Sequence, residues 1–463
     1  MRRTKIIATI GPKTESADML LKLANEGMNI ARLNMSHAKP EWTREILLRI
    51  QEVNKKLKRP VSIMLDTQGP EIRTSDSEFG LDVGDDFKIA ISSACDIQEG
   101  EKHTFINYQN LLDKVKKGDI LMLDNGLIAV KVVSKAEYHI NCRVLNKGSL
   151  GKKKSVNLPG IRTDLPSMTK KDKEDITLAS KFGIDFIAQS FVRKKEDVLE
   201  MKRLLKKLKC NAMIIAKIED QEGVENMDEI INESDGIMVA RGDLGVEIPI
   251  EKIPAVQQQL VEKCIVAGKP VIVATHLLES MIENPRPTRA EVTDVANAVF
   301  QKADCIMLSG ETTKGKYPLE CIQLMHNIAK ETQKRLVFDQ PVIKTKDVKE
   351  AITLGACINS ENLDAKAIIV FSKTGKLLSL VTKRRPNVDI FVFAENEEII
   401  KKLMIFWGTM PYRIKFRENF NEMAKKAISI LKSEKHIFEN DLVIIISDVN
   451  PRKDIDTLEI REV

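Results

Sequence analysis

Charged side chains stand at the ends of several short apolar segments of this chain. Two carboxylates, Glu219 and Asp243, follow neighbouring segments of this kind. A pair of carboxylates with open positions for substrate oxygens is a common way to hold Mg²⁺. Three fixed positive charges stand in corresponding places and are suited to clamp a phosphoryl group during its transfer: Arg32, Arg73 and Lys217. This set predicts a site for highly charged ligands.

Two further groups of residues extend the predicted site. The stretch Arg241-Gly242-Asp243 is predicted to form a sharp turn whose backbone N–H groups hold a carboxylate. Hard oxygen donors suited to a monovalent cation follow neighbouring segments, and they are Asn34, Ser36, Asp66 and Thr67. Each residue alone has a structural alternative, since a carboxylate after a strand is often a helix N-cap and Lys217 with Glu219 can form an ordinary ion pair. The joint pattern favours a site.

The segments that carry these residues are eight nearly continuous apolar runs, which are typical of parallel strands covered on both faces. Amphipathic stretches separate them, so the order predicts a (β/α)8 barrel, although a doubly wound sheet gives the same alternation. The predicted strands are Lys5–Ile10, Asn29–Asn34, Val61–Asp66, Asp185–Ser190, Met213–Glu219, Gly236–Asp243, Pro270–His276 and Cys305–Ser309. In a barrel, their polar ends converge on one mouth.

The barrel pattern is interrupted once and is then followed by a further region. Residues 71–164 carry turn sequences between short alternating strands, which predicts an inserted β-barrel lid over the barrel mouth. Helix and strand alternate anew after residue 337. We therefore predict a TIM barrel formed by residues 1–70 and 165–337, a β-rich lid at 71–164, and an α/β domain at 338–463.

Composition limits the class of protein. The 463 residues are 43% hydrophobic and 30% charged with a net charge of +6, as in globular proteins of several domains. No apolar run reaches the about 18 residues of a membrane span, and the run after the basic N-terminus stops at Gly11, too early for a signal peptide. Aromatic residues are only 5%, which argues against nucleic-acid binding. Scattered cysteines without metal-ligand spacing favour the cytoplasm.

Seven stretches of the sequence resemble pyruvate kinases, and they occur in the family's order. They are TIGP at 9–12, ARLNMSH at 31–37, LDTQGPEIR at 65–73, VNLPG at 156–160, IAKIE at 215–219, MVARGDLG at 238–245 and MLSGET at 307–312. The resemblance implies a glycolytic enzyme that moves the phosphoryl group of phosphoenolpyruvate onto ADP, giving pyruvate and ATP. It also implies a homotetramer and a lid that closes over bound nucleotide.

The same resemblance implies roles for the residues that meet the substrate. Glu219 and Asp243 would hold Mg²⁺ or Mn²⁺. Lys217 would steady the transferring phosphoryl group, and Arg32 would grip the substrate phosphate. The substrate carboxylate would rest on Gly242, Asp243 and Thr275, and Thr275 would also belong to the proton path to the enolate carbon.

Further residues are implied to bind K⁺ and the nucleotide. The K⁺ ligands would be Asn34, Ser36, Asp66 and the carbonyl of Thr67. Glu71 matches family members that need K⁺, since members that do not need it carry Lys there. The nucleotide contacts would be Asn34, His37, Arg73 and Lys154.

The sequence departs from the family pattern in several places. Gln68 stands where Lys is usual, and His276-Leu277 replaces the usual Gln-Met. In the last domain Ser372-Lys373-Thr374-Gly375-Lys376 resembles the phosphate loop for a phosphorylated effector. Residues 448–453, however, lack the glycine-rich loop that completes many sugar-phosphate sites. Two other functions stay open here: another phosphoenolpyruvate- or pyruvate-handling barrel enzyme, and an inactive regulator of the same fold.

Overall fold

Eight parallel strands close into a barrel in the computed structural model, which describes residues 1–94, 97–337, 345, 347–417, 419–449 and 457–463. Each strand pairs with the next, and the eighth pairs with the first. In chain order they are Lys5–Thr9, Ile30–Asn34, Ser62–Asp66, Phe186–Gln189, Met213–Ile218, Gly236–Ala240, Val271–Ala274 and Cys305–Leu308. The closed order confirms the predicted barrel and excludes the doubly wound sheet.

Helices lie between successive barrel strands and bury their apolar faces against them. They are Ala17–Glu26, Pro40–Asn54, Lys170–Ser180, Lys195–Leu208, Gln221–Glu225, Met227–Glu233, Arg241–Glu247, Ile253–Ala267, Arg289–Phe300, Gly310–Thr313 and Pro318–Thr332, with 3-10 turns at Ile250–Lys252, Glu279–Ile282 and Gln333–Arg335. The sixth strand ends at Ala240, before its predicted end at Asp243, because the helix Arg241–Glu247 begins at once. No helix in the described ranges is both long and apolar enough to cross a membrane.

The segment between the third and fourth barrel strands forms a separate β-rich unit with its own apolar core. A six-stranded half-barrel sheet has the order Val156–Asn157, Ile120–Leu123, Ile128–Lys135, His139–Val144, Asp86–Ala90 and His103–Phe105. A ribbon of Phe79–Leu81 with Gly148–Leu150 and a short helix, Leu111–Lys114, complete it. Because this unit leaves the barrel after a strand's carboxyl end, it lies at the mouth.

The last part of the chain is an α/β domain with a five-stranded sheet. Its strand order is Thr409–Arg413, Asp389–Ala394, Ala367–Phe371, Leu442–Ser447 and Thr457–Glu462, and only the last of these is antiparallel to its neighbour. Its helices are Val348–Asn362, Lys376–Thr382, Glu397–Leu403 and Phe420–Ser433.

This C-terminal domain packs against the amino-terminal end of the barrel, opposite the mouth. The Arg385 guanidinium forms a two-pronged ion pair with the buried Asp304 carboxylate, at 2.6 and 3.1 Å. The Lys5 ammonium donates a hydrogen bond to the Thr409 carbonyl. The domain therefore closes one end of the barrel and leaves the mouth accessible to ligands.

Candidate active site

Four charged side chains at the carboxyl ends of the barrel strands form one continuous network. Asp66 lies at its centre: its Oδ2 is 2.6 Å from Arg32 Nε, and its Oδ1 is 3.0 Å from Lys217 Nζ. Lys217 Nζ in turn lies 2.9 Å from Glu219 Oε1. All four residues are at most 8% exposed. Burying so many charges is costly unless they are paired or bind a ligand, which marks this end of the barrel as the site.

The network keeps its lysine charged. Burial disfavours the positive charge of Lys217, but the Asp66 and Glu219 carboxylates outweigh burial and raise the pKa of Lys217 above its ordinary value. Burial also disfavours the charge of Asp66, but Arg32 and Lys217 hold its pKa below the ordinary value. At neutral pH the mouth therefore presents two fixed positive charges.

Glu219 and Asp243 form an acidic pair beside these cations. Burial raises the pKa of Glu219; the Lys217 ammonium opposes this rise, and nearby Asp243 adds to it. Glu219 Oε2 accepts a hydrogen bond of 2.6 Å from the Phe191 N–H. Across the described ranges, no hydrogen-bond donor or ion-pair partner meets the Asp243 carboxylate. Two adjacent carboxylates, of which Asp243 has no cationic partner in those ranges, fit a divalent cation, which would take its other ligands from substrate and water.

The helix Arg241–Glu247 brings Gly242 and Asp243 to the mouth. The Gly242 N–H donates a 2.8 Å hydrogen bond to Thr275 Oγ1. Thr275 has a left-handed backbone, with a φ of 67°, which turns the chain sharply after the seventh strand. Arg241-Gly242-Asp243 therefore forms the first turn of a helix and not the predicted sharp turn, and the Gly242 N–H is already bonded.

The oxygen donors predicted for a monovalent cation lie at the ends of two adjacent strands or directly after them. Asn34 and Asp66 are direct neighbours in the register of the second and third strands. Asn34 Oδ1 accepts a hydrogen bond of 3.2 Å from the Ser36 N–H. The Thr67 carbonyl accepts one of 2.6 Å from Ser190 Oγ. The Asp66 carboxylate is already paired with Arg32 and Lys217. At a site for a monovalent cation it would therefore balance charge as much as coordinate the ion.

A cleft of about 140 Å³ lies between the barrel mouth and the inserted β-rich unit. Arg73 from the inserted unit and Asp243 from the barrel both line it. Arg73 is held by the Glu71 carboxylate at 2.7 Å and donates to the Lys153 carbonyl at 2.8 Å. Lys154 instead pairs with Asp124 within the inserted unit, at 3.1 Å. Asn34 and His37 are not among the residues that line the cleft.

Another acidic residue, Glu247, stands on the cleft wall. Burial raises the pKa of Glu247 to about 7, and its neighbours Asp220 and Asp243 oppose its ionisation as well. Its Oε1 accepts a hydrogen bond of 2.8 Å from the Asn157 Nδ2 of the inserted unit. The cleft is thus crossed by a direct contact between its two sides.

Comparison with known proteins agrees with this architecture. The family model "Pyruvate kinase, barrel domain" matches residues 1–322, and "Pyruvate kinase, alpha/beta domain" matches residues 350–461. The chain belongs to the pyruvate kinase family. Pyruvate kinases of Staphylococcus aureus strains MRSA252 and USA300 are each 42% identical over 97% of this chain and 78% of their own length. A crystal structure of a pyruvate kinase from Cryptosporidium parvum aligns with a TM-score of 0.94 at 36% identity, covering 100% of this chain and 96% of that one.

These findings confirm the family resemblance drawn from the sequence and the enzyme class, since pyruvate kinases are phosphotransferases. They decide against the alternative of another phosphoenolpyruvate- or pyruvate-handling barrel enzyme. The separate roles of individual residues remain predictions, because the comparisons concern whole domains.

Three residues of the network were not predicted as site residues. Thr9 Oγ1 accepts a 2.8 Å hydrogen bond from Arg32 Nη1, and Ser190 Oγ accepts one of 2.8 Å from Lys217 Nζ. The Phe191 N–H that binds Glu219 belongs to a residue with a left-handed φ of 52°. Thr9 ends the first barrel strand and Ser190 directly follows the fourth, and that position was the available sequence signal. The role of Phe191 is a backbone role, which its side-chain type does not reveal.

The loop Ser372–Lys376, which resembles the effector loop of pyruvate kinases, lies in the C-terminal domain. The Asp448 carboxylate occupies its donors: Oδ1 accepts from the Lys373 N–H and Oδ2 from Ser372 Oγ, each at 3.1 Å. Thr374 and Gly375 bond within the loop, and Lys376 begins the next helix. The sequence departs from the family pattern at residues 448–453, and 450–453 of this stretch lie outside the described residues.

Proposed function

We propose that this chain transfers the phosphoryl group of phosphoenolpyruvate to ADP through the network of Arg32, Asp66, Lys217 and Glu219. The observation that carries this assignment of residues is the continuous buried chain of ion pairs at the barrel mouth. Buried charges held by one another are preorganised, so they need little rearrangement when charge develops on a substrate. The proposal rests on that preorganisation together with family membership.

Arg32 and Lys217 are proposed to hold the phosphoryl group. The bond between phosphorus and the enol oxygen breaks, and a bond to a terminal oxygen of ADP forms. Negative charge spreads over the transferring group and the departing enolate oxygen, and fixed cations stabilise it. Mg²⁺ or Mn²⁺, held by Glu219 and Asp243, would supply further electrostatic stabilisation of those oxygens.

Thr275 and Gly242 are proposed to receive the substrate carboxylate. The Gly242 N–H now donates to Thr275 Oγ1, so a carboxylate oxygen would share or replace that acceptor. The Asp243 N–H, in the same helical turn, would be the second donor. The enolate left by transfer takes a proton on its methylene carbon to become pyruvate, and the Thr275 hydroxyl is proposed to belong to that proton path.

The nucleotide is proposed to lie in the cleft with Arg73 at its phosphates. His37, Asn34 and Lys154 remain proposed contacts, and Lys154 would have to leave Asp124 to make one. Closure of the inserted unit, for which we propose the boundaries 71–164, would bring it to the substrates. The flanking units proposed are the barrel at 1–70 and 165–337 and the α/β domain at 338–463.

K⁺ is proposed to bind at Asn34, Ser36, Asp66 and the Thr67 carbonyl. The adjacency of Asn34 and Asp66 across the second and third strands supports this placement. The family pattern at Glu71 supports K⁺ dependence as well, because members that need K⁺ carry Glu there and members that do not carry Lys. In this structure the Glu71 carboxylate pairs with Arg73 at 2.7 Å.

The cellular setting proposed is that of a cytoplasmic glycolytic homotetramer, as the family resemblance implies.

For the loop Ser372–Lys376 we propose a different occupant from the phosphorylated effector that its sequence suggests. The Asp448 carboxylate already accepts hydrogen bonds from Ser372 and Lys373, so an effector phosphate would meet a negative charge in its place.

The proposed function is tested by pyruvate formation from phosphoenolpyruvate and ADP with Mg²⁺, with and without K⁺. The Lys217→Met variant should lose about 100-fold or more in kcat, because it removes a preorganised cation from the transferring group. Lys269→Met is the matched control, since Lys269 donates to backbone carbonyls at the other end of the barrel.

Near-normal activity of the Lys217→Met protein would contradict the residue assignment. A folded, metal-loaded wild-type protein without any pyruvate formation would contradict the activity itself and favour the inactive-regulator alternative.

A further inference from the structure

The helix that carries the substrate-binding residues has a second contact at its other end. Its first turn holds Gly242 and Asp243, and its last residue is Glu247. The Glu247 carboxylate accepts a hydrogen bond of 2.8 Å from Asn157 Nδ2, and the Leu158 N–H also favours its ionised form. Asn157 belongs to the edge strand of the six-stranded sheet of the inserted unit. One short helix therefore contacts both the substrate site and the lid.

A neighbouring contact supports the same geometry. Gly126, in a turn of the inserted unit, approaches the side chain of Val246, so that a Cβ atom added to it would lie 3.4 Å from Val246 Cγ1. The turn thus rests on the residue next to Glu247. Two separate parts of the inserted unit meet the last turn of this helix, one through an apolar contact and one through a hydrogen bond.

The position of Glu247 is electrostatically unfavourable. It is half-buried near two other carboxylates, Asp220 and Asp243, so an apolar or amide side chain would cost less there. The Glu247 carboxylate has no ion-pair partner among the described residues, and it accepts hydrogen bonds from the inserted unit. Asn157 and Leu158 are the groups that stabilise it, which indicates a role in holding the two sides of the cleft together.

We propose that Glu247 is a positioning residue that docks the inserted unit on the helix Arg241–Glu247. The inserted unit then covers the nucleotide cleft while Asp243 keeps its position at the barrel mouth. This inference rests on the proposed function, which puts the nucleotide in that cleft. Loss of the contact would weaken nucleotide binding much more than phosphoenolpyruvate binding, because the residues proposed to hold phosphoenolpyruvate all belong to the barrel.

The test compares Glu247→Ala, Asn157→Ala and Glu247→Gln in steady-state kinetics. The two alanine variants should each raise the KM for ADP about tenfold, the effect of one hydrogen bond to a charged group, and change the KM for phosphoenolpyruvate little. Their double variant should be no worse than either single one, since both remove the same contact. Glu247→Gln keeps an acceptor for Asn157 and should lie between wild type and Glu247→Ala.

A matched control is Glu225→Ala, which removes a second carboxylate that bridges the cleft, through Arg162 at 3.0 Å. That pair is exposed, so its loss should leave both KM values near wild type. Hydrogen exchange of peptides covering 156–158 in the nucleotide-free protein provides a readout other than activity. Faster exchange in Glu247→Ala and Asn157→Ala, but not in Glu225→Ala, is expected.

Two results would overturn the inference. Equal losses in Glu247→Gln and Glu247→Ala with a normal Asn157→Ala variant would make the Glu247 charge, not the docking contact, the important property. Equal increases of both KM values in the alanine variants would indicate general damage to the site. An inactive wild-type protein would remove the proposed function, yet the exchange experiment would still decide whether the contact holds the lid.

Discussion

Ser190 offers a sharp test of the buried network, because its contact with Lys217 became apparent only from the structure. Its hydroxyl accepts a hydrogen bond from Lys217 Nζ at 2.8 Å and donates one to the Thr67 carbonyl at 2.6 Å. Lys217 has three donor hydrogens, and Asp66, Glu219 and Ser190 accept them. The change Ser190→Ala removes one acceptor from a buried ammonium group.

The size of the effect follows from the chemistry of that contact. A hydrogen bond to a charged group contributes about 1.5–3 kcal/mol, and a buried donor without an acceptor costs a similar amount. If half of the smaller figure is felt in the transition state, where Lys217 must be correctly placed, kcat falls only a few-fold; if all of the larger figure is felt, it falls about 100-fold. We expect a decrease of about tenfold, with the KM for ADP little changed.

The assay is steady-state pyruvate formation, together with the thermal midpoint of each variant. Ser190→Thr restores a hydroxyl and should recover much of the activity. Ser234→Ala is the matched control: Ser234 is a buried barrel serine whose hydroxyl has no hydrogen-bond partner within the described residues. Wild-type kcat in Ser190→Ala, or an equal loss in Ser234→Ala, would refute the reasoning.

Two further predictions concern the opposite end of the barrel and the C-terminal domain. Burial raises the pKa of Asp185 from 3.8 to about 7, so the folded protein loses the stabilising protonated form as pH rises through about 7. Asp185→Asn has no such ionisation. Between pH 4 and pH 8 the wild type should therefore lose up to about 4 kcal/mol of unfolding free energy relative to this variant. Thermal midpoints of the two proteins across that range measure this, and a constant difference would contradict it. Because Asp448 fills the loop at Ser372, sugar phosphates and AMP should leave the wild-type KM for phosphoenolpyruvate unchanged, whereas Asp448→Ala should gain phosphate binding measurable by calorimetry. Activation of the wild type by any of these compounds would contradict that occupancy.

The barrel and its mouth could be predicted because both leave local signals. Strands buried on both faces must be nearly continuous apolar runs, and a charged residue such as Lys217 within a run is conspicuous. The spacing of Lys217 and Glu219 also placed both side chains on one face of a strand. Contacts between distant segments left no such signal. Ser190 is an ordinary serine until the fold brings it to Lys217, and Asp448 lies far along the sequence from the loop that it fills.

The sequence by itself determined the family, the fold class and the kinds of side chain gathered at the mouth, because these depend on residue type and periodicity. Only the tertiary structure decided which charges pair, that Gly242 lies in the first turn of a helix, and that Glu247 contacts Asn157 across the cleft. Pairing depends on distances of a few ångströms between segments that are far apart in the chain. Those distances are set by strand register, barrel closure and the packing of the inserted unit, which no local stretch of sequence encodes alone.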